Sequence, residues 1–445
     1  MALSSQAQRN SRIPRLLRAS IDAFRQPDLR SKLLFTFAML VVFRFLAHVP
    51  MPNVNQTLLK QAFASNSLLN FLNFFSGGGL RRLSVAAMGV YPYITAQIVV
   101  QLVTPIFPRL KALTQEGEQG QQKLQQYTAW MTVPMAAIQG YAQLQILQRL
   151  GGISGVGLTG SEALPTVAMI SSMVGVTMFL VWLGQLIDER GIGNGVSVII
   201  FAGIIANLPS VLSAVFNGSG FGGAVLLVGV SLALVVAIVI FNEAQRRVPV
   251  QYARSLFRGG RMYRQSGSSY VPLRVNSAGM IPLLFAFTIM TLPQFAAQYF
   301  LGSPTAWVRD VAHAMDFAFN VRGVIYQASV FTLTVAFTFF YTMVIYQQQN
   351  LAENLQKQGG FIPGIRPGRP TNEYILRVLT RITWAGALFL GLVAVVPFLA
   401  TRWVANVPAL TISSTGFLIV VGVVIDTMKQ LEAQLLMRTY EGFIR

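Results

Sequence analysis

Ten apolar runs, each of about the length that crosses a membrane, constrain this sequence more than any other feature. They are bounded by charged residues or by Pro and Gly, and they cover 33–49, 83–106, 127–147, 165–187, 195–216, 221–241, 278–300, 324–346, 378–400 and 407–426. A bilayer crossing needs about 20 predominantly apolar residues. The chain is 53% hydrophobic and only 11% charged, with a mean hydropathy of +0.54, which is outside the range of soluble domains. The sequence therefore predicts an all-α polytopic membrane protein with ten transmembrane helices.

The Lys and Arg residues are unequally distributed between the two sides of the membrane. Ten spans put both termini on one side, and 26 of the 34 Lys and Arg residues then fall on that side, against eight on the other. Because cytoplasmic loops retain Lys and Arg, both termini are predicted to be cytoplasmic. Apolar residues at helical spacing within the basic segment 1–32 predict an amphipathic helix at the membrane surface, with a transit peptide as the alternative.

Five spans precede Gly218 and five follow it. An odd number of spans in each half requires the halves 33–217 and 218–445 to lie inverted in the bilayer, an arrangement that places a functional pathway at their interface. The fold predicted is thus two inverted five-helix halves.

A short apolar segment that cannot cross the membrane precedes the second span. Residues 68–75 are followed by three glycines at 77–79 and by Arg81 and Arg82, and the spanning run begins only at Leu83. Consecutive glycines break the chain where left-handed backbone is easily adopted. Non-spanning backbone at membrane depth must be surrounded by protein or a water-filled cavity. Residues 68–75 are therefore predicted to occupy a cavity, with a hinge at the glycines.

Two basic loops on the predicted cytoplasmic side are longer than simple connections. Apolar residues alternate on both flanks of 242–277, which predicts a hairpin arm with Gly259 and Gly260 at its tip. The second loop, 347–377, contains GGFIPGIRPGRPT, whose prolines stiffen the chain. Solvated positive loops are one interpretation, and docking of a large partner is the other, which length and stiffness favour.

Several kinds of chemistry lack their characteristic residues. The sequence has no cysteine, so disulfides and thiolate metal sites are excluded. All 15 acidic residues lie in loops or near span ends, whereas coupled transporters commonly keep a carboxylate inside the membrane. The GIGNG sequence at 191–195 is followed by no Lys-Ser/Thr pair, and a tight turn entering the fifth span is favoured over a phosphate loop. No enzyme activity, cofactor or metal is expected.

Aliphatic residues recur at helical spacing on two spans. Val90 and Ile94 share one face of the second span, and Val196 and Ile200 share one face of the fifth. Ordinary helix packing is the default interpretation of such pairs.

Five sequence blocks, taken together, resemble one protein family. The blocks are LNFFSGG at 72–78, MGVYPYITAQIVVQL at 88–102, EGEQGQQKLQQYT at 116–128, ERGIGNGVSVIIFAGI at 189–204 and PGIRPG at 363–368. In this order and on ten spans, the chain resembles the SecY family, the channel subunits of the bacterial Sec protein translocon, over nearly its whole length.

The resemblance implies an hourglass-shaped central pore closed by two apolar elements. A plug helix at 68–79 would seal the outer funnel with Phe71, Leu72, Phe74, Phe75, Gly77 and Gly78. A pore ring at the waist would consist of Val90, Ile94, Val196, Ile200, Leu284 and Ile419. Branched aliphatic side chains offer no hydrogen bond to ions or water but can move aside for a passing chain.

The resemblance also implies a lateral gate between spans two and three and spans seven and eight. Its polar positions would be Thr95, Gln101, Gln139 and Asn276. Hydrogen bonds between membrane helices contribute about 1 kcal/mol each, so an apolar signal sequence could part them.

The two basic loops would dock partners on the cytoplasmic side. The implied docking residues are Arg258, Arg261, Arg366 and Arg369, and the implied partners are the SecA motor ATPase, the ribosome through its RNA, and the small subunits SecE and SecG.

The function implied is a protein-conducting channel in the plasma membrane, or alternatively the thylakoid membrane. Unfolded secretory polypeptides would cross it, and membrane segments would leave it sideways into lipid. A secondary transporter with inverted repeats is the alternative function, followed by an intramembrane enzyme.

Overall fold

The computed structural model of the protein describes residues 26–441 apart from 53–57, 60–62, 64–68, 70–72, 74–75, 154, 158, 259–260, 280, 302–303, 321–322 and 404–408. The chain divides into two compact units. The first unit comprises Met1–Gln97, Thr128–Val211 and Ile419–Arg445, and the second comprises Ile98–Tyr127 and Leu212–Leu418. Each unit thus draws on both halves of the sequence, and the division at 217/218 stays a prediction. The amphipathic helix expected over 1–32 lies mostly outside the described residues.

Helices dominate both units. The α-helices are α1 (Pro27–Leu46), α2 (Tyr91–Val103), α3 (Pro108–Gln115), α4 (Glu118–Arg149), α5 (Ala163–Arg190), α6 (Gly195–Glu243), α7 (Ile281–Phe300), α8 (Ala306–Ala318), α9 (Val324–Gln349), α10 (Leu351–Lys357), α11 (Arg369–Trp403) and α12 (Ala409–Glu441). By length and composition, four stretches of the described helices could cross a membrane: Gly160–Arg190, Ile281–Phe300, Val324–Lys357 and Arg369–Val396. The count of ten crossings stays a prediction.

Several helices extend beyond the apolar runs that predicted them. The helix α4 begins at Glu118, ahead of the run 127–147, and α12 continues to Glu441, past the run that ends at 426. The added turns are rich in Gln, Glu, Lys and Leu, which have high helix propensity whether or not lipid surrounds them. An apolar run therefore locates the membrane-embedded part of a helix but not its ends.

The second span differs from the prediction. The helix α2 begins only at Tyr91, and residues 83–90 form turns. Leu83 and Gly89 have positive φ values of 44° and 56°, which right-handed helix cannot accommodate, and Pro92 favours a helix start. With 13 residues, α2 is only about 20 Å long. The expectation that the whole run 83–106 is a spanning helix is therefore wrong.

Residues 83–90 satisfy the conditions for irregular backbone at membrane depth. Leu83, Ser84 and Ala87 are completely buried. The Leu83 carbonyl accepts a hydrogen bond from the Met51 amide at 2.9 Å, and the Val85 amide donates to the Val49 carbonyl at 3.0 Å. Protein surrounds these turns and supplies hydrogen-bond partners for their backbone groups, as backbone that is shielded from water requires.

The predicted break between the fifth and sixth spans is absent from the backbone. One helix, α6, runs through Gly218 for 49 residues, and the boundary between the two units falls inside it, between Val211 and Leu212. A glycine inside a helix costs about 1 kcal/mol, which long apolar runs on both sides can offset. At about 73 Å, α6 exceeds the thickness of one hydrocarbon core more than twofold.

The predicted hairpin is confirmed. Strands β1 (Gln245–Arg258) and β2 (Arg261–Arg274) pair antiparallel, with Arg258 opposite Arg261. The tip residues 259–260 lie outside the described residues. A third strand, β3 (Gly360–Phe361), pairs with the other edge of β1. Because β3 belongs to the second basic loop, the two loops that the sequence treats separately form one sheet.

The GIGNG sequence forms the predicted tight turn before α6. The Asn194 side-chain oxygen accepts a hydrogen bond from the Ser197 amide at 3.1 Å, and Asp188 accepts one from the Gly195 amide at 2.7 Å. The Gly193 amide donates to the Gln430 side chain of α12 at 2.9 Å. Ile192 packs in a buried apolar cluster with Leu29 and Leu431. The turn therefore ties α1, α6 and α12 together in the first unit.

Candidate functional site

Residues 76–80, which we call the glycine hinge, connect the short apolar segment to the turns at 83–90. The φ values of Gly77 and Gly78 are 65° and 87°, a region that residues with a side chain avoid. The Ser76 hydroxyl accepts a hydrogen bond from the Leu80 amide at 3.0 Å. These angles confirm the predicted break in the chain.

The glycine hinge packs tightly against other elements of the first unit. A Cβ atom on Gly77 would lie 2.9 Å from both Gly203 Cα and Phe43 Cζ, and one on Gly78 would lie 2.7 Å from Asn207 Oδ1. The Arg44 Nη1 atom donates a hydrogen bond to the Gly77 carbonyl oxygen at 2.8 Å. The hinge is therefore held by α1 on one side and by α6 on another.

Part of the predicted plug is visible ahead of the hinge. Leu69 and Asn73 have helical backbone, and Leu69 and Ser76 are completely buried. Burial of the whole segment 68–75 stays a prediction. The plug residues Phe71, Leu72, Phe74 and Phe75 lie outside the described residues.

Five of the six predicted pore-ring residues belong to the first unit. Val90, Ile94, Ile200 and Ile419 are buried, each at most 5% exposed, and Val196 is partly buried with a methyl group packed against Gly184 of α5. Leu284, 7% exposed, lies in the second unit. Closure of these side chains into a ring stays a prediction.

Two of the predicted gate residues contact each other. The Gln139 amide nitrogen on α4 donates to the Thr95 hydroxyl on α2 at 3.1 Å, and Thr95 donates to the Pro92 carbonyl at 2.7 Å. Both side chains are buried. A polar contact therefore joins α2 to α4 where the sequence predicts gate residues.

The other two predicted gate residues lie in the second unit and have other partners. The Gln101 side chain lies beside Tyr341 of α9. Asn276, in the turn after β2, donates to the side chain of Asn242 at the end of α6, at 2.8 Å. The sequence did not single out Tyr341 or Asn242. A gate role for Gln101 and Asn276 stays a prediction.

The two basic loops form a folded body, which we call the arm module: β1, β2 and residues 347–377. Its interior is an apolar cluster that joins both loops to α9 and α11, made by Val248, Val250, Leu273, Tyr346, Leu355, Ile362, Ile375 and Leu379. The Tyr346 hydroxyl donates to Asn372 at 2.7 Å. Beside the module lies a cleft of about 590 Å³, whose lining includes Lys111, Glu353 and Arg369.

The predicted docking arginines lie on the arm module. The backbones of Arg258 and Arg261 pair at the end of the hairpin. Arg366 is exposed, and its carbonyl accepts a hydrogen bond from Thr371 at 2.8 Å. The Arg369 side chain is 91% exposed and pairs with Glu373 at 3.3 Å, a contact worth at most about 1 kcal/mol. Arg366 and Arg369 are thus accessible to a partner.

Sequence reasoning missed two residues beside the hinge. Arg44 is one of the eight Lys and Arg residues predicted to lie on the outer side, and Asn207 lies within the apolar run 195–216. A signal for Arg44 was present, because a cation within an apolar run is costly and usually functional. Nothing local indicated that either residue would reach 77–78.

Solved structures define the class of protein to which this fold belongs. A SecY structure, whose plug domain is described as stabilizing the closed state of the translocation channel and maintaining a membrane seal, superposes with a TM-score of 0.59 at 17% identity over 91% of this chain and 92% of that chain. Sec61 in the canine ribosome–channel complex from the endoplasmic reticulum superposes with a TM-score of 0.57 at 15% identity over the same shares of the two chains. The fold is that of the membrane channels that conduct proteins.

Sequence comparison identifies the family within that class. The family model described as SecY matches residues 84–428. The protein translocase subunit SecY of Streptomyces galbus is 41% identical over 97% of this chain and 100% of its own length. The chain belongs to the SecY family, and the secondary-transporter alternative finds no support.

Proposed function

We propose that this protein is the channel through which unfolded polypeptides cross the membrane and from which membrane segments leave sideways into lipid. The observation that carries the proposal is the interrupted second span. The buried residue Leu69, a glycine hinge with positive φ values and the short helix α2 follow one another along the chain. A bundle of continuous spanning helices does not require an interrupted second span, whereas a plugged channel requires a movable segment beside a pore.

The seal is proposed to consist of two apolar elements. Residues 68–79 act as the plug, and Val90, Ile94, Val196, Ile200, Leu284 and Ile419 form the pore ring. Burial of five of these ring side chains to 7% exposure or less supports a closed state. Aliphatic groups exclude ions because they cannot replace water of hydration.

The gate residues are proposed to respond to the substrate. The hydrogen bond between Gln139 and Thr95 joins α2 to α4 and positions both side chains on one side of the proposed gate. Hydrogen bonds across the gate would be worth about 1 kcal/mol or less each in a membrane, and an apolar signal sequence that buries several side chains gains more than this. We assign the same role to Gln101 and Asn276.

Docking is proposed to occur on the arm module at the cytoplasmic side. Arg258, Arg261, Arg366 and Arg369 would contact ribosomal RNA or the SecA motor, since exposed Arg residues favour phosphate and carboxylate groups. SecE and SecG are the proposed accessory subunits. We assign the chain no catalytic role, so the energy for transport comes from a partner or from the proton-motive force.

The proposed location is the plasma membrane, with both termini in the cytoplasm. The excess of Lys and Arg on that side supports this orientation. In a thylakoid membrane the protein would have the same topology.

A single-cysteine crosslink tests the channel. The chain has no cysteine of its own, so Ile94→Cys provides one reactive thiol at the proposed ring. A stalled secretory precursor that carries one cysteine in its translocating part should crosslink to this position. Val236→Cys on α6, where Val236 is 52% exposed, is the matched control. Equal crosslinking at the two positions would contradict the pore assignment.

A further inference from the structure

Arg44 occupies an unusual position for a cation. It lies in the last turn of α1, within the apolar run 33–49, and its side chain is partly buried. Its guanidinium reaches 33 residues along the chain to donate to the Gly77 carbonyl at 2.8 Å. The contact therefore joins α1 directly to the glycine hinge.

No carboxylate among the described residues lies within ion-pair distance of Arg44. Burial removes part of the water from the Arg44 guanidinium, and the positive charge of Arg82 repels it. A cation inside a membrane protein is expensive unless it is paired or has hydrogen-bond acceptors. The Gly77 carbonyl is thus the acceptor that stabilises the Arg44 guanidinium at this depth.

The geometry of the hinge makes this contact specific to one position of the chain. Gly77 is confined between Gly203 and Phe43, where a Cβ atom would lie 2.9 Å from each. Gly77 has a φ of 65°, which a residue with a side chain avoids, and in this conformation its carbonyl meets Arg44. Displacement of Gly77 from this position would break the charge-assisted hydrogen bond.

We infer that Arg44 is a positioning residue that latches the glycine hinge in its place between α1 and α6. The inference rests on the proposed channel function. Displacement of the hinge breaks the hydrogen bond between Arg44 and Gly77, so Arg44 sets how readily the hinge opens in the absence of substrate. Lysine would retain the charge but would lack the planar, multidentate geometry of arginine.

Ser84 offers a reporter of hinge opening. It is completely buried, its hydroxyl has no hydrogen-bond partner among the described residues, and it lies 2.7 Å from the place of a Cβ atom on Gly79. Ser84→Cys therefore changes little in the closed state and creates the single thiol of the chain. Its reaction with a membrane-impermeant maleimide measures exposure of the region behind the hinge.

The experiment combines Ser84→Cys with Arg44→Met, Arg44→Lys or Arg82→Met in the full-length protein with its accessory subunits in membranes. Loss of a charge-assisted hydrogen bond should make labelling of Arg44→Met about 10- to 100-fold faster. Arg44→Lys should lie between Arg44→Met and the unsubstituted latch, and Arg82→Met, which keeps the latch, should not accelerate labelling. Rates are normalised to the amount of folded protein in the membrane, so that poor assembly is not mistaken for opening.

Unchanged labelling of Arg44→Met, or equal acceleration in Arg82→Met, would overturn the latch. The precursor crosslink at Ile94→Cys in a chain with Arg44 intact separates this failure from failure of the proposed function. If that crosslink forms while Arg44→Met labels at the original rate, the channel stands and the latch is wrong. If the crosslink itself is absent, the channel assignment is wrong, irrespective of Arg44.

Discussion

Gly77 and Gly203 approach each other so closely that neither position has space for a side chain. A Cβ atom on Gly203 would lie 2.8 Å from Gly77 Cα and 3.8 Å from the ring of Phe43. Packed interiors resist the addition of even one methyl group. The closed hinge thus depends on two small residues that come from different parts of the chain.

Gly203→Ala should destabilise the closed hinge by about 1–3 kcal/mol, the usual cost of overpacking. The expected result is a higher ion leak through the channel in the absence of a precursor, measured in proteoliposomes. Gly222→Ala on the same helix is the control, because a Cβ atom there meets no atom within 4 Å. An equal ion leak in both variants would show that replacing a glycine of α6, and not overpacking of the hinge, causes the leak.

At the scale of elements, the main finding is that the two basic loops are one body. The strand β3 adds only two residue pairs to β1, Gln251 with Phe361 and Tyr252 with Gly360, but the apolar cluster beneath them includes residues of both loops. A two-residue strand has little stability of its own. Burial of the shared cluster therefore positions the two loops, which carry the proposed docking arginines, relative to one another.

A disulfide between Gln251→Cys and Phe361→Cys should form readily and leave docking intact. Residues directly opposite in an antiparallel pair have Cα atoms about 4.5–5.5 Å apart, within the range of disulfides. Binding of the SecA motor or of ribosomes to membranes should be the same with the bond oxidised or reduced. Gln245→Cys with Phe361→Cys, about 20 Å apart along β1, is the control that should not crosslink. If SecA or ribosomes bind only after the disulfide is reduced, the two loops must separate for docking.

At the scale of the whole molecule, the distribution of Lys and Arg predicts how the chain is oriented in the membrane. The net charge is +19, and most of the excess falls on the side assigned to the cytoplasm. Moving several Lys and Arg residues across a membrane is more costly than retaining them. The same surplus that orients the chain is available to anionic partners.

Two single-cysteine variants, one before α9 in the chain and one after it, test this orientation. Gln358→Cys, after α10, should react only with reagent on the cytoplasmic side, and Ala314→Cys, on α8, only with reagent on the other side. Both native side chains are exposed, so accessibility does not depend on opening of the channel. Labelling of both positions from one side would contradict the predicted topology.

The sequence by itself determined the features that depend on neighbours along the chain. Alternation at 248–252 and 271–275 predicted the hairpin, the glycines at 77–79 predicted the break, and Asn194 with its glycines formed the expected turn. The blocks of matching residues were sufficient to identify the family. Each of these signals lies within a few residues, where backbone preference and periodicity act.

Only the tertiary structure decided which distant residues meet. The hydrogen bond from Arg44 to Gly77, the contact of Gly77 with Gly203 and the pairing of β3 with β1 leave no periodic or compositional trace, because their partners lie tens of residues or more apart. Buried contacts of this kind depend on how whole helices pack. The physical reason is that local sequence sets the conformation of a segment, whereas the free energy of burying and pairing segments sets their arrangement.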